Sequence, residues 1–268
     1  MVSLRCRFAV ASLRPGSASP QPQPLPAGRI SLEASRAVMA PQVACCFPAV
    51  PLMVRELRIR PLRIPCPGGE LQADLTVPVG ADALVVFAHG SGSGRCSPRN
   101  RAVAEHLQRG ALATLLLDLL PAAAVLPPQP ARLLSLSRDN LLASVDWLAR
   151  DPDLASLPLG LFGASTGAAV ALEVAAQRPD RVRALVCRGG RPDLAFAALG
   201  LVRCPTLLIV GAADVDVLEL NAWAAAHLRA SHDLLVVPGA GHLFTEAGAL
   251  ETVAAASRRW FERQLCRR

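Results

Sequence analysis

Ser165 stands between Gly163 and Gly167, where the apolar run Leu159 to Phe162 meets a second apolar segment that reaches Ala176. A serine hydroxyl attacks a carbonyl carbon only when a base removes its proton, so the residue has chemistry only in company. The G-x-S-x-G spacing between a buried strand and a buried helix is the nucleophile elbow, whose tight turn lifts the hydroxyl above the sheet edge in strained backbone. Glycines flank the serine because the helix returns so close to its strand that larger side chains would collide. The N-terminus of that helix aims free N–H groups and a partial positive charge at the space above Ser165, where an oxyanion would be stabilised. The bare five-residue pattern also arises by accident, and its place between strand and helix is what gives it meaning.

The elbow calls for an acid and then a histidine further along the chain. After the apolar run Thr206 to Val210 comes Gly211-Ala212-Ala213-Asp214-Val215-Asp216, and after Leu234 to Val237 comes Pro238-Gly239-Ala240-Gly241-His242. Asp214 and His242 therefore hold matching strand-end positions in the required order, and they are the expected acid and base. Asp216 reads as a helix cap instead. Asp118 also ends a strand but precedes the serine, which leaves it a capping or supporting role. His106, His227 and His232 fall on helices or their exits and read as surface residues. Directly after the strand ending at Ala88 lies His89-Gly90-Ser91-Gly92-Ser93-Gly94, whose glycines let the backbone approach a reacting group. The N–H groups of Ser91 and Thr166 are the expected oxyanion donors. A phosphate-binding reading of this loop fails, because the G-x-G-x-x-G spacing and a P-loop lysine are both missing from it.

These residues need a sheet to carry them. Leu57 and Ile59 open an alternating segment, and Leu71, Ala73, Leu75 and Val77 alternate after Pro67-Gly68-Gly69, which predicts an antiparallel hairpin. Six short apolar strands follow, over 84–88, 112–118, 159–162, 182–187, 206–210 and 234–237. Helices are expected over 98–108, 139–150, from the elbow to just before Pro179, then over 217–228 and 248–265. The pattern implies an α/β class fold: an eight-stranded, mostly parallel sheet with helices on both faces and the site at the strands' C-terminal ends. The short connection from Cys187 to Thr206 leaves little or no room for a lid.

Composition excludes several functions. The net charge is +7, yet every one of the 28 basic residues is arginine, and they are scattered among acids without a basic run or interleaved aromatics. No nucleic-acid partner is expected. The eight cysteines show no C-x-x-C and no metal-ligand spacing with histidine, so neither a metal nor an organic cofactor is expected, and a reducing, cytoplasmic location fits. Cys187 and Cys204 read as small apolar core residues. Residues 1–53 read as a disordered leader rich in proline and arginine, with residues 54–268 as the folded domain. An organelle-targeting leader, or a true start at Met53, are the alternatives. The apolar stretch 37–53 is too short and too proline-broken to span a membrane.

From about residue 54 onward the chain resembles the α/β-hydrolase superfamily, and within it the dienelactone-hydrolase-like group of small, nearly lidless enzymes. The matching segments are the His-Gly-Ser-Gly loop at His89, the Gly-Ala-Ser-Thr-Gly elbow, the Gly-x-x-Asp turn at Asp214 and the Gly-x-Gly-His loop at His242. Similar domains also occur joined to phosphoribosyltransferases in bacteria, but no such partner domain is read in this sequence. Dienelactone hydrolases proper carry a cysteine nucleophile, whereas this elbow holds Ser165. The resemblance thus implies serine-dependent hydrolysis of a small ester or lactone, with no cofactor. Acyl transfer or perhydrolysis through the same three residues, or a non-catalytic binding role on the same fold, are the other readings. Arg95, Arg99 and Arg188 fall near the expected site. They read first as solvated arginines and second as partners for a substrate carboxylate.

Overall fold

The computed structural model describes residues 58–266 apart from 123, 125 and 126. The expected leader and its boundary with the folded domain lie outside the described residues. Arg58–Cys66 (β1) and Gly69–Val77 (β2) form the hairpin, paired antiparallel from Ile59 opposite Thr76 to Cys66 opposite Gly69. In β2 the alternation is literal, with Leu71, Ala73 and Leu75 buried and Gln72 and Asp74 only partly so.

The remaining strands are Ala83–Ala88 (β3), Leu112–Leu117 (β4), Leu159–Ala164 (β5), Val182–Arg188 (β6), Thr206–Gly211 (β7) and His232–Val237 (β8). They lie in the order β1-β2-β4-β3-β5-β6-β7-β8. β2 pairs antiparallel with both neighbours, and every other adjacent pair from β4 to β8 is parallel. Parallel strands covered on both faces need apolar residues at every position, and β3, β4, β5 and β7 are buried throughout.

Helices Pro98–Arg109 (α1) and Ala249–Leu265 (α6) cover one face, packing Val103, Leu107, Val253 and Phe261 against Phe87 and Phe162. The other face carries Pro130–Leu148 (α2), Thr166–Gln177 (α3), the single turn Phe196–Leu199 (α4) and Val215–Ala225 (α5). Eight of the twelve residues of α3 are buried, as its sequence demands of a helix apolar nearly all round. Cys187 and Cys204 are buried free thiols, and burial pushes both upward, Cys204 to about 12, so they behave as apolar core residues. Among the described residues no helix is long and apolar enough to cross a membrane.

Three features depart from expectation. α2 begins at Pro130, well ahead of Asp139, because proline at the first position loses no hydrogen bond and the first turns lie half-exposed without an apolar period. The β6–β7 connection holds a 3-10 turn, Pro192–Ala195, as well as α4, and nothing larger caps the sheet there. His232 opens β8, where the sequence suggested a helix exit.

Candidate active site

At the C-terminal end of β5, Ser165 adopts φ 53° and ψ −124°, the strained conformation that the elbow requires. Its backbone is held from both sides. The Ser165 N–H donates to the Arg188 carbonyl at 3.1 Å, and the Ser165 carbonyl accepts from the Arg191 N–H at 3.1 Å. The elbow glycines have no space for a side chain. A Cβ on Gly163 would lie 2.5 Å from Ala168 Cα, and one on Gly167 would overlap the Ala88 and His89 carbonyls. Gly163→Ala must therefore push α3 off the sheet. It is expected to cost roughly 3 kcal/mol and lower the melting temperature by about 6–12 °C, as a thermal denaturation curve would read.

Asp214 lies at the position preceding α5, yet its side chain makes no capping hydrogen bond to that helix. Its carboxylate turns to His242 instead, with Oδ2 accepting from Nδ1 at 2.7 Å. The opposite ring nitrogen, Nε2, lies 3.3 Å from Ser165 Oγ. With Nδ1 protonated toward the carboxylate, Nε2 carries the free lone pair that a general base needs. Asp214 is 15% exposed and His242 38%, so the acid is shielded while the imidazole edge stays open to a substrate. Two bonds tie the acid and histidine loops together, from the Ala212 N–H to the Val237 carbonyl and from the Ala213 N–H to the Ala240 carbonyl, both 2.9 Å. Asp216 lies exposed in the first turn of α5, where a carboxylate complements the helix dipole.

The glycine loop after β3 approaches the elbow, and its contact there is specific. The Ser91 N–H donates to Thr166 Oγ1 at 2.9 Å, and the two hydroxyls lie 3.0 Å apart. The expected donor is thus near the elbow but engaged by the threonine side chain. Thr166 opens α3, so its own N–H has no intrahelical acceptor. His89 contributes more than the sequence indicated. Nδ1 donates to the Gly90 carbonyl at 2.9 Å while Nε2 accepts the Leu119 N–H at 3.0 Å, bracing the glycine loop against the exit of β4. A histidine directly at a strand end, ahead of glycines, was the available signal.

Asp118 is a supporting residue. It accepts the Arg95 N–H at 2.7 Å and pairs with the Arg95 guanidinium, which also faces Asp74 at 3.6 Å. Asp118 and Asp74 hold Arg95 above its ordinary value and occupy it, which removes it from the expected substrate-facing set. Arg188 is 6% exposed rather than solvated, with its guanidinium 5.7 Å from the Phe244 ring. His106 and His232 are partly buried, and His227 is exposed beside Trp223 and Phe196.

Known proteins agree with this architecture. A dienelactone hydrolase from Anabaena variabilis shares 43% identity and a TM-score of 0.72, covering 78% of this chain and 99% of that one. Carboxyl esterase 2 from Tuber melanosporum, at 18% identity, has the same fold with a TM-score of 0.63 over 78% of this chain and 88% of its own. A Mycobacterium tuberculosis protein named as a phosphoribosyl transferase is 53% identical over 197 residues, 72% of this chain. The match spans only 43% of that relative's length. The model of the Dienelactone hydrolase family matches residues 130–266, which include the elbow, the acid turn and the histidine loop. The chain is an α/β-hydrolase and belongs to the dienelactone hydrolase family.

Proposed function

We propose that the chain hydrolyses a small ester or lactone through a serine acyl-enzyme. The observation that carries this reading is the continuous contact from Asp214 Oδ2 through both nitrogens of His242 to Ser165 Oγ, on loops at the strands' C-terminal ends. The Ser165 oxygen bonds to the substrate carbonyl carbon as its proton passes to His242 Nε2, and the carbonyl π pair moves onto oxygen. Asp214 keeps the ring in the needed tautomer and stabilises the imidazolium. The oxyanion takes hydrogen bonds from the N–H groups of Thr166 and Ser91, the latter once the Thr166 hydroxyl turns aside. Collapse expels the alkoxide, which accepts the proton from Nε2. In a lactone this alcohol stays tethered to the acyl group. Water then donates a proton to Nε2 as it attacks the acyl carbon, and Ser165 regains its hydrogen on release.

The short β6–β7 connection leaves the site accessible, which favours small or exposed ester groups. A fluorescent fluorophosphonate tests the reading without knowledge of the substrate, because it reacts with an activated serine. Wild type is expected to label, Ser165→Ala and His242→Ala to stay dark. A folded wild-type protein that fails to label would overturn the proposal.

A further inference from the structure

Two arginines next to the site carry positive charge that nothing in the described fold balances. The alternation along β6 sends Cys187 to the α3 side and turns Arg188 to the α1/α6 side, where it packs on Phe244, two residues after His242. Its Nε is buried without a hydrogen-bond partner among the described residues, and so is Nε of Arg99 in the first turn of α1. Neither guanidinium forms an ion pair among the described residues, whereas the nearby Arg95, Arg101 and Arg191 are all paired with aspartates. Burial, with a further contribution from the charge of Arg99, pushes Arg188 down to about 10.

A desolvated guanidinium without a counter-charge is among the more destabilising groups a core can hold. Hydrophobic side chains of similar volume would remove that strain, so a charge at this place has use only when an anion arrives. The third contributor is α1 itself. Its N-terminus brings a partial positive charge, and no acid occupies its first turn. Two guanidiniums and a helix terminus match a group of charge near −2 with several acceptor oxygens, as a phosphoryl group has, better than a single carboxylate.

We propose that Arg188, Arg99 and the N-terminus of α1 form an anion subsite beside Ser165 that takes a phosphate-type dianion carried by the substrate. That the anion belongs to a substrate rests on the hydrolase reading. The binding itself does not. Arg188 lies against Phe244 of the histidine loop and within reach of the charge of Arg99 at the start of α1, and its carbonyl holds the Ser165 N–H.

Inorganic phosphate is the probe, with thermal denaturation of the purified full chain as the readout. The melting temperature is expected to rise saturably, by about 5–10 °C at a hundredfold excess over the dissociation constant, against sodium chloride of matched ionic strength. Acetate is expected to give a much smaller shift. Arg188→Met should melt at or above wild type without phosphate, since a buried charge is gone, and should lose the phosphate response. The partly exposed Arg99→Gln should fold normally and bind phosphate about tenfold more weakly. Phosphate should also raise KM for a neutral ester and leave kcat alone. A wild type indifferent to phosphate, variants that respond as wild type does, acetate acting as strongly as phosphate, or phosphate lowering kcat without raising KM would each overturn the proposal. Fluorophosphonate labelling of the same samples separates the two readings. Labelling without a phosphate response sinks the subsite alone, and a phosphate response lost in Arg188→Met without labelling upholds the subsite while sinking the hydrolase mechanism.

Discussion

Ser165→Ala is expected to lower kcat/KM for any ester the protein turns over by about 10⁶-fold, close to the loss from removing all three interacting residues together. The reason lies in the way they act as one unit. Without the hydroxyl, His242 has no proton to take and Asp214 has no imidazolium to stabilise, so their contributions vanish with the nucleophile. The remaining rate would come from the oxyanion donors and from substrate positioning. Thermal denaturation should place the variant within a few degrees of wild type, because the one hydrogen bond of Ser165 Oγ among the described residues is to the histidine. Steady-state kinetics on a chromogenic ester would decide the matter. A variant retaining even one part in a hundred of wild-type activity would assign the nucleophile elsewhere.

Asp214→Asn should reduce kcat by about 10⁴-fold while KM stays within a few-fold. The change is nearly isosteric, so the geometry survives and the protonation pattern does not. An amide that donates to Nδ1 stabilises the tautomer with its proton on Nε2, and that nitrogen then has no lone pair for the Ser165 hydroxyl. The carboxylate has little other employment, since it leaves α5 uncapped. Loss of kcat without loss of stability would therefore separate a role in the reaction from a role in holding the helix. A wild-type rate would remove Asp214 from the mechanism.

The residues brought together at the sheet edge were legible because each stands at a strand end in a fixed chain order, and buried parallel strands announce themselves as unbroken apolar runs. An aspartate before a helix is usually its cap, and what marked Asp214 as the acid in sequence was its strand-end position one strand ahead of His242. In the structure its side chain makes no cap bond, and its carboxylate meets His242 Nδ1 instead. The first turns of α2 were hidden because Pro127, Pro128 and Pro130 read as a breaker and the following residues are half-exposed without an apolar period. The three arginines near the site looked alike along the chain. Tertiary contact alone gives Arg95 two carboxylates and leaves Arg99 and Arg188 without any among the described residues. The engagement of the Ser91 N–H by Thr166 was equally out of reach, because it depends on one side-chain rotamer across a separation of 75 residues.

The base of the proposed reaction hangs from the sheet's last strand. β8 pairs with β7 and has no outer neighbour among the described residues, and its Leu234 and Val236 are more than a third exposed. Strand edges with few buried contacts open at lower free energy than the core that carries the nucleophile. Warming would therefore carry His242 away from Ser165 before the central strands part. The temperature at which turnover stops is then set by the rim of the sheet and not by its centre, and cooling would restore activity without any refolding of the core.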